Sequence, residues 1–93
     1  MYAVFVVSEL DPSRRDEAET MLKTQIAPRI KQAQGFVSGT WGRAADGKEG
    51  RSVVVFQTEE SAKATLEAVS KGMPANGPVK IVMTRVCEVV HQI

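Results

Sequence analysis

Apolar positions in this chain change their spacing several times, and each change marks an element. Tyr2-Ala3-Val4-Phe5-Val6-Val7 is an unbroken apolar run, rich in β-branched and aromatic side chains and too short for a helix, so it predicts a strand apolar on both faces. Asp11-Pro12-Ser13 then opens a helix: Asp11 can cap, Pro12 fits the first turn, and Asp16 and Glu17 suit its positive end. Ala18, Met21, Leu22, Ile26, Ile30 and Ala33 recur at helical spacing, and Pro28 among them predicts a kink or a break. Gly35 stops the helix, and Phe36 to Arg43 reads as a strand in which Gly39 and Gly42 mark a bulge or a close backbone approach. Asp46-Gly47 is a hairpin signal, and Arg51 to Gln57 is the most β-prone run of the chain. Thr58 caps a second helix, Glu59 to about Lys71, whose buried stripe is Ala62, Leu66 and Val69. Gly72 ends it, Met73 to Pro78 cannot continue a helix, and Val79 to about Val90 closes the chain as a long strand.

The order strand, helix, strand, strand, helix, strand is the split pattern of an α+β, ferredoxin-like βαββαβ domain with an antiparallel sheet, here a single domain over residues 1–93. Both helices of such a domain cover one sheet face, and the other face normally alternates polar with apolar. This chain does not alternate: Ala3, Phe5 and Val7 share one side of the first strand, Tyr2, Val4 and Val6 the other, and Val53 to Phe56 is apolar on both sides. At roughly 25 cal/mol per Å², an open face of that kind drives association. The expected partner is a second copy, paired sheet to sheet as a homodimer, with the long last strand exchanging contacts across the interface.

Composition narrows the setting. The only cysteine, Cys87, excludes an intrachain disulfide and fits a reducing cytoplasm. No basic leader or long apolar segment precedes the first strand, so a cytoplasmic protein without a membrane partner is expected. Lys and Arg number 12 against 11 Asp and Glu, with both signs mixed along the chain, which gives no electrostatic reason to expect nucleic acid.

Pro28 late in the first helix, Gly35-Phe36-Val37-Ser38-Gly39-Thr40-Trp41 in the second strand, Asp46-Gly47, and Val53-Val54-Val55-Phe56 leading into Glu59-Glu60-Ser61-Ala62 carry a resemblance spanning essentially the whole chain. The sequence resembles the dimeric α/β-barrel superfamily, and within it small proteins similar to antibiotic-biosynthesis monooxygenases. The resemblance implies subunits paired sheet against sheet. It does not imply one reaction, because that superfamily mixes oxygenases, isomerases, haem-degrading enzymes and members with no assigned activity. Its haem degraders use a helical histidine as iron ligand and an asparagine on the first strand. Here the only histidine, His91, lies on or after the last strand, and Ser8 ends the first, so no haem and no other cofactor is expected. A cofactor-independent oxygenase would want polar groups in an apolar pocket, and Trp41, Arg43, Arg85 and His91 are the candidates. With Phe5 they make up the expected ligand pocket.

RNA-recognition motifs share the topology, and Val4-Phe5-Val6 with Gly50 to Phe56 loosely resembles their signature strands. Those strands stack bases on aromatic rings, whereas Arg51 and Val53 occupy the third-strand ring positions and leave only Phe5. No metal set is present, since His91 has no ligand partners at suitable spacing. Cys87 lacks a neighbouring base on its own face and reads as an inert thiol. Trp41 either lines a cavity or fills the gap left by Gly39 and Gly42. Arg85, inside an apolar strand, needs a carboxylate, a carbonyl or water if it is buried, and a salt bridge between subunits is preferred to a substrate clamp. Three functions stay open: a barrel binding a small apolar or aromatic molecule, a cofactor-independent monooxygenase or isomerase, and a structural or interaction dimer.

Overall fold

The first apolar run becomes an interior strand, paired along both of its edges and covered by the helices on one of its faces. In the computed structural model, which describes all 93 residues, β1 (Tyr2–Leu10) pairs on one side with β3 (Glu49–Phe56) and on the other with β4 (Val79–Glu88), and β2 (Phe36–Arg43) completes the sheet outside β3. The order is β2-β3-β1-β4 and every pairing is antiparallel. The β2–β3 hairpin closes at Asp46-Gly47: Gly47 has φ +74°, which an L side chain would resist, and Asp46 Oδ1 accepts from Lys48 N at 2.9 Å.

Each strand pairing fixes which side chains share a face. On the helix-covered face the register aligns successive rows, Phe36-Phe56-Tyr2, then Gly39-Val54-Val4, then Trp41-Ser52-Val6, then Arg43-Gly50-Ser8. Two irregularities break simple alternation. In β4 the register slips between Val7 and Ser8, leaving Val82 as the extra residue, so that Ile81 joins Ser8 on the helix side while Met83 joins Val7 on the open side. In β2 the slip lies between Phe36 and Ser38, at Val37. The glycines of β2 are therefore not the bulge, and what comes close to Gly39 is the Trp41 ring, a side chain and not a neighbouring backbone.

The first helical stretch is divided as Pro28 demanded, with more detail than a kink. A 3₁₀ turn (Pro12–Arg14) leads into α1 (Arg15–Met21), a π turn (Leu22–Ile26) and α2 (Ala27–Lys31). The Ala27 N–H donates to the Leu22 carbonyl, one residue farther back than in an α-helix. A proline at 28 can neither donate to the carbonyl four residues before it nor sit close to it, and the wider turn relieves that clash. Gly35, at φ +80°, turns the chain into β2 three residues after the helical backbone has ended at Gln32. α3 (Glu59–Gly72) starts on Thr58, whose hydroxyl oxygen accepts from Ser61 N at 3.1 Å, a cap that stabilises the helix by about 1 kcal/mol.

Both helices lie on one side of the sheet. Val4, Ile30, Val54, Phe56 and Ala62 form the buried centre, with Phe56 1% and Ala62 0% exposed. Phe36 meets Phe56 edge to face at 6.3 Å, adding about 1 kcal/mol beyond burial. α3 spans β1, β3 and β4 and α2 packs on β2, while α1 lies less closely on the sheet. The opposite face is open over much of its area: Ala3 and Val55 are buried there, but Phe5 is 47% and Met83 53% exposed, beside Val7, Val53 and Arg85. This is the ferredoxin-like α+β architecture that the element order predicts.

Candidate functional site

Because α1 lies less closely on the sheet than α2 and α3, the rows that carry Trp41 and Arg43 are left with space above them. A cavity of about 320 Å³ lies there between sheet and helices. Its inner end is apolar, floored by Val4 and Val54 and roofed by Ile26, Ile30 and Leu66. Toward its outer end the floor gains polar groups at Ser52, Ser8 and Arg43, beside Leu10, Val79 and Ile81. The change follows from sequence: Ser8 interrupts the helix-facing set of β1, Ser52 that of β3, and Arg43 ends that of β2, while β4 stays apolar through Ile81 and Val79.

Trp41 stands at the change. A Cβ on Gly39 would lie 2.7 Å from Trp41 Cη2, so the indole crosses the space that any larger residue at 39 would occupy. The ring thus both fills the gap left by Gly39 and forms cavity wall. Ser8 is 9% exposed, Ser52 is half-buried, and neither hydroxyl has a protein hydrogen-bond partner; the indole N–H has none either. No sealed side-chain N or O atom lacks a partner, so these groups open onto the cavity rather than being trapped.

Arg43 reaches across to α1, where its Nη2 donates to Glu19 Oε1 at 2.6 Å. Alone among the side-chain hydrogen bonds, this one is partly shielded from water. Lys23 Nζ approaches the other Glu19 oxygen at 3.8 Å from the solvent side. The pair ties edge strand β2 to the helical half that lies less closely on the sheet, and it closes one side of the cavity mouth.

The five residues expected to share a pocket are divided by the sheet. Trp41 and Arg43 line the cavity. Phe5 and Arg85 face each other across the β1–β4 ladder on the open side, because the odd positions of β1 point away from the helices. His91 lies beyond β4 and is exposed. The sequence reading missed Ser52 and Glu19 and treated Ser8 only as the end of a strand. The available signal was an isolated serine interrupting the apolar runs of β1 and β3, but its meaning depends on a register that only the folded sheet fixes.

No imidazole, thiol or phenol lines the cavity, and no group of His, Cys, Asp and Glu could hold a metal. Cys87 is half-buried beside Ala3 on the open face. No helix is long and apolar enough to cross a membrane. The open face presents a single aromatic ring, Phe5, where a base-stacking surface would need several.

No protein-family model and no curated protein sequence matches the chain. Solved structures do. The haem degrader MhuD from Mycobacterium tuberculosis, which holds two haems in its active site, is 17% identical with a TM-score of 0.75, covering 100% of this chain and 99% of that one. The ActVA-Orf6 monooxygenase of Streptomyces coelicolor, in complex with nanaomycin D, is 17% identical with a TM-score of 0.66, over 99% of this chain and 89% of that one. A dimeric ferredoxin-like protein from an uncultured marine organism is 13% identical with a TM-score of 0.67, over 99% and 97%. Identities this low speak to architecture alone, and the architecture they share with this chain is the ferredoxin-like fold.

Proposed function

We propose that the protein is a homodimer whose subunits each bind a small apolar or aromatic molecule in the cavity between sheet and helices. The observation that carries this reading is the gradient of the cavity itself, an apolar inner end and unpartnered hydroxyl and indole groups at the outer end. Ligand sites are typically built in this way, with a mostly apolar wall and a few placed polar groups that orient the ligand. A purely structural dimer would gain more by filling that space, since each unfilled volume forfeits packing energy. The dimer is supported by the exposed Phe5 and Met83 on the open face and by the dimeric marine structure of the same fold.

A cofactor-independent monooxygenase or isomerase is the second reading. It is supported by the fold shared with the ActVA-Orf6 monooxygenase. On that reading Trp41, Ser8, Ser52 and Arg43 would orient the substrate, and Glu19 is the one carboxylate paired within reach of them. Haem degradation of the kind named for MhuD fits poorly, because the lining offers haem iron no histidine. Native mass spectrometry of purified protein tests the main reading. A dimer retaining one small molecule per subunit is expected; a monomer, or a dimer that takes up no aromatic probe, would overturn it.

A further inference from the structure

We infer that Glu19 is the specificity-determining residue of this cavity: by neutralising Arg43 it makes the site select uncharged ligands over anions. The inference rests on the cavity being a binding site. Arg43 is the only cation whose side chain is mostly withdrawn from water there, 25% exposed. The other charged groups around the mouth, Asp11, Arg15, Lys23 and Arg51, are exposed and screened by solvent. An unpaired guanidinium at that depth would make the cavity an anion site, because charge-assisted hydrogen bonds to carboxylates strengthen as water is excluded.

Glu19 removes that property while leaving donors in place. The contact is one-pronged, through Nη2 alone, so Arg43 Nε and Nη1 make no hydrogen bond to the protein and stay free for an uncharged oxygen. A carboxylate ligand would instead have to displace Glu19 and leave a second carboxylate beside it, at a cost set by like-charge repulsion. The size of the cavity fixes a suitable probe. An apolar cavity of about 150 Å³ accepts benzene, and about twice that volume fits a two-ring aromatic.

The test is calorimetric titration with naphthalenemethanol, which is uncharged, and with naphthoate, which carries a carboxylate on the same ring system. Wild type is expected to bind the alcohol more tightly. Glu19→Gln is expected to raise naphthoate affinity about tenfold, the worth of one charge-assisted hydrogen bond, and to change the alcohol less than twofold. Adding Arg43→Gln to Glu19→Gln is expected to remove the gain. A merely structural Glu19 would shift both ligands together, and that result overturns the inference. Tighter naphthoate binding by wild type also overturns it. Failure of both probes to bind wild type strikes instead at the cavity as a binding site.

Discussion

Trp41 lies across Gly39 so closely that a Cβ there would stand 2.7 Å from Cη2 and 2.8 Å from Cζ3 of the ring. The two positions therefore work as one unit, the absence of a side chain at 39 making room for an unusually large one at 41. Gly39→Ala must push the indole out of place and is expected to destabilise the protein by about 1–3 kcal/mol, the usual range for overpacking. Trp41→Phe removes the atoms in conflict, so the double variant should cost clearly less than the sum of the singles. Denaturant unfolding of all four proteins checks this, with the single tryptophan as probe wherever it is retained. Additive costs would mean that the ring does not occupy this site.

Phe5 sits opposite both Val53 and Arg85 on the uncovered sheet face. Phe5→Glu is expected to break the proposed dimer while leaving the subunit folded. Within one chain the new carboxylate would face Arg85 across the ladder, a favourable cross-strand pair. Across a dimer it would place two charges in an apolar interface and lose two buried rings, weakening association by about a hundredfold or more. Sedimentation velocity at micromolar concentration should show wild type as a dimer and the variant as a monomer. An unchanged dimer would mean the subunits meet elsewhere.

The element order was legible in the sequence because each element carries its own local chemistry: Thr58 at a cap, Asp46-Gly47 in a hairpin, Pro28 at an interruption. β2 begins and ends at Phe36 and Arg43, as its pattern predicts. The site was only half legible. Trp41 and Arg43 belong to it because they share a parity on β2, and Phe5 and Arg85 fall outside it because strand parity sends them to the other face. What no local pattern conveys is alignment between strands. Ser8 joins Arg43 only through Gly50, and Ile81 reaches the cavity only because β4 takes an extra residue at Val82.

Two glycines should respond to alanine in opposite directions. Gly72 closes α3 with helical geometry, and the nearest obstacle to a Cβ is the tip of Arg29, at 2.7 Å, which can swing aside. Gly72→Ala is expected to stabilise by about 0.5–1 kcal/mol, through the restricted unfolded chain and the better helix former. Gly35 has φ +80°, and its Cβ would meet Ser61 Oγ at 3.0 Å. Gly35→Ala is expected to destabilise by about 1 kcal/mol or more. For a chain of this size each 1 kcal/mol moves the melting midpoint by about 4–8 °C, so thermal scans should separate the two. A fall for Gly72→Ala would show that Arg29 is held where it lies.

Acid should loosen the start of the first helical stretch. Hydrogen bonds from the Ser13 hydroxyl and backbone N–H hold the Asp11 carboxyl below its ordinary value. The two-pronged hydrogen bond from Arg14 does the same for Glu17, and Arg14 also donates to the Asn76 carbonyl at 2.8 Å, joining this turn to the loop before β4. Both carboxyls titrate lower in the folded protein than in the unfolded chain, so the stability they contribute is complete above the unfolded values of about 4. It is lost as pH falls through the depressed folded values. Glu17→Gln should therefore be less stable than wild type near neutrality and converge with it well below about pH 4. Thermal unfolding from neutral to acidic pH measures the gap, and a gap that stays constant across that range would show that the Arg14–Glu17 contact does not set it.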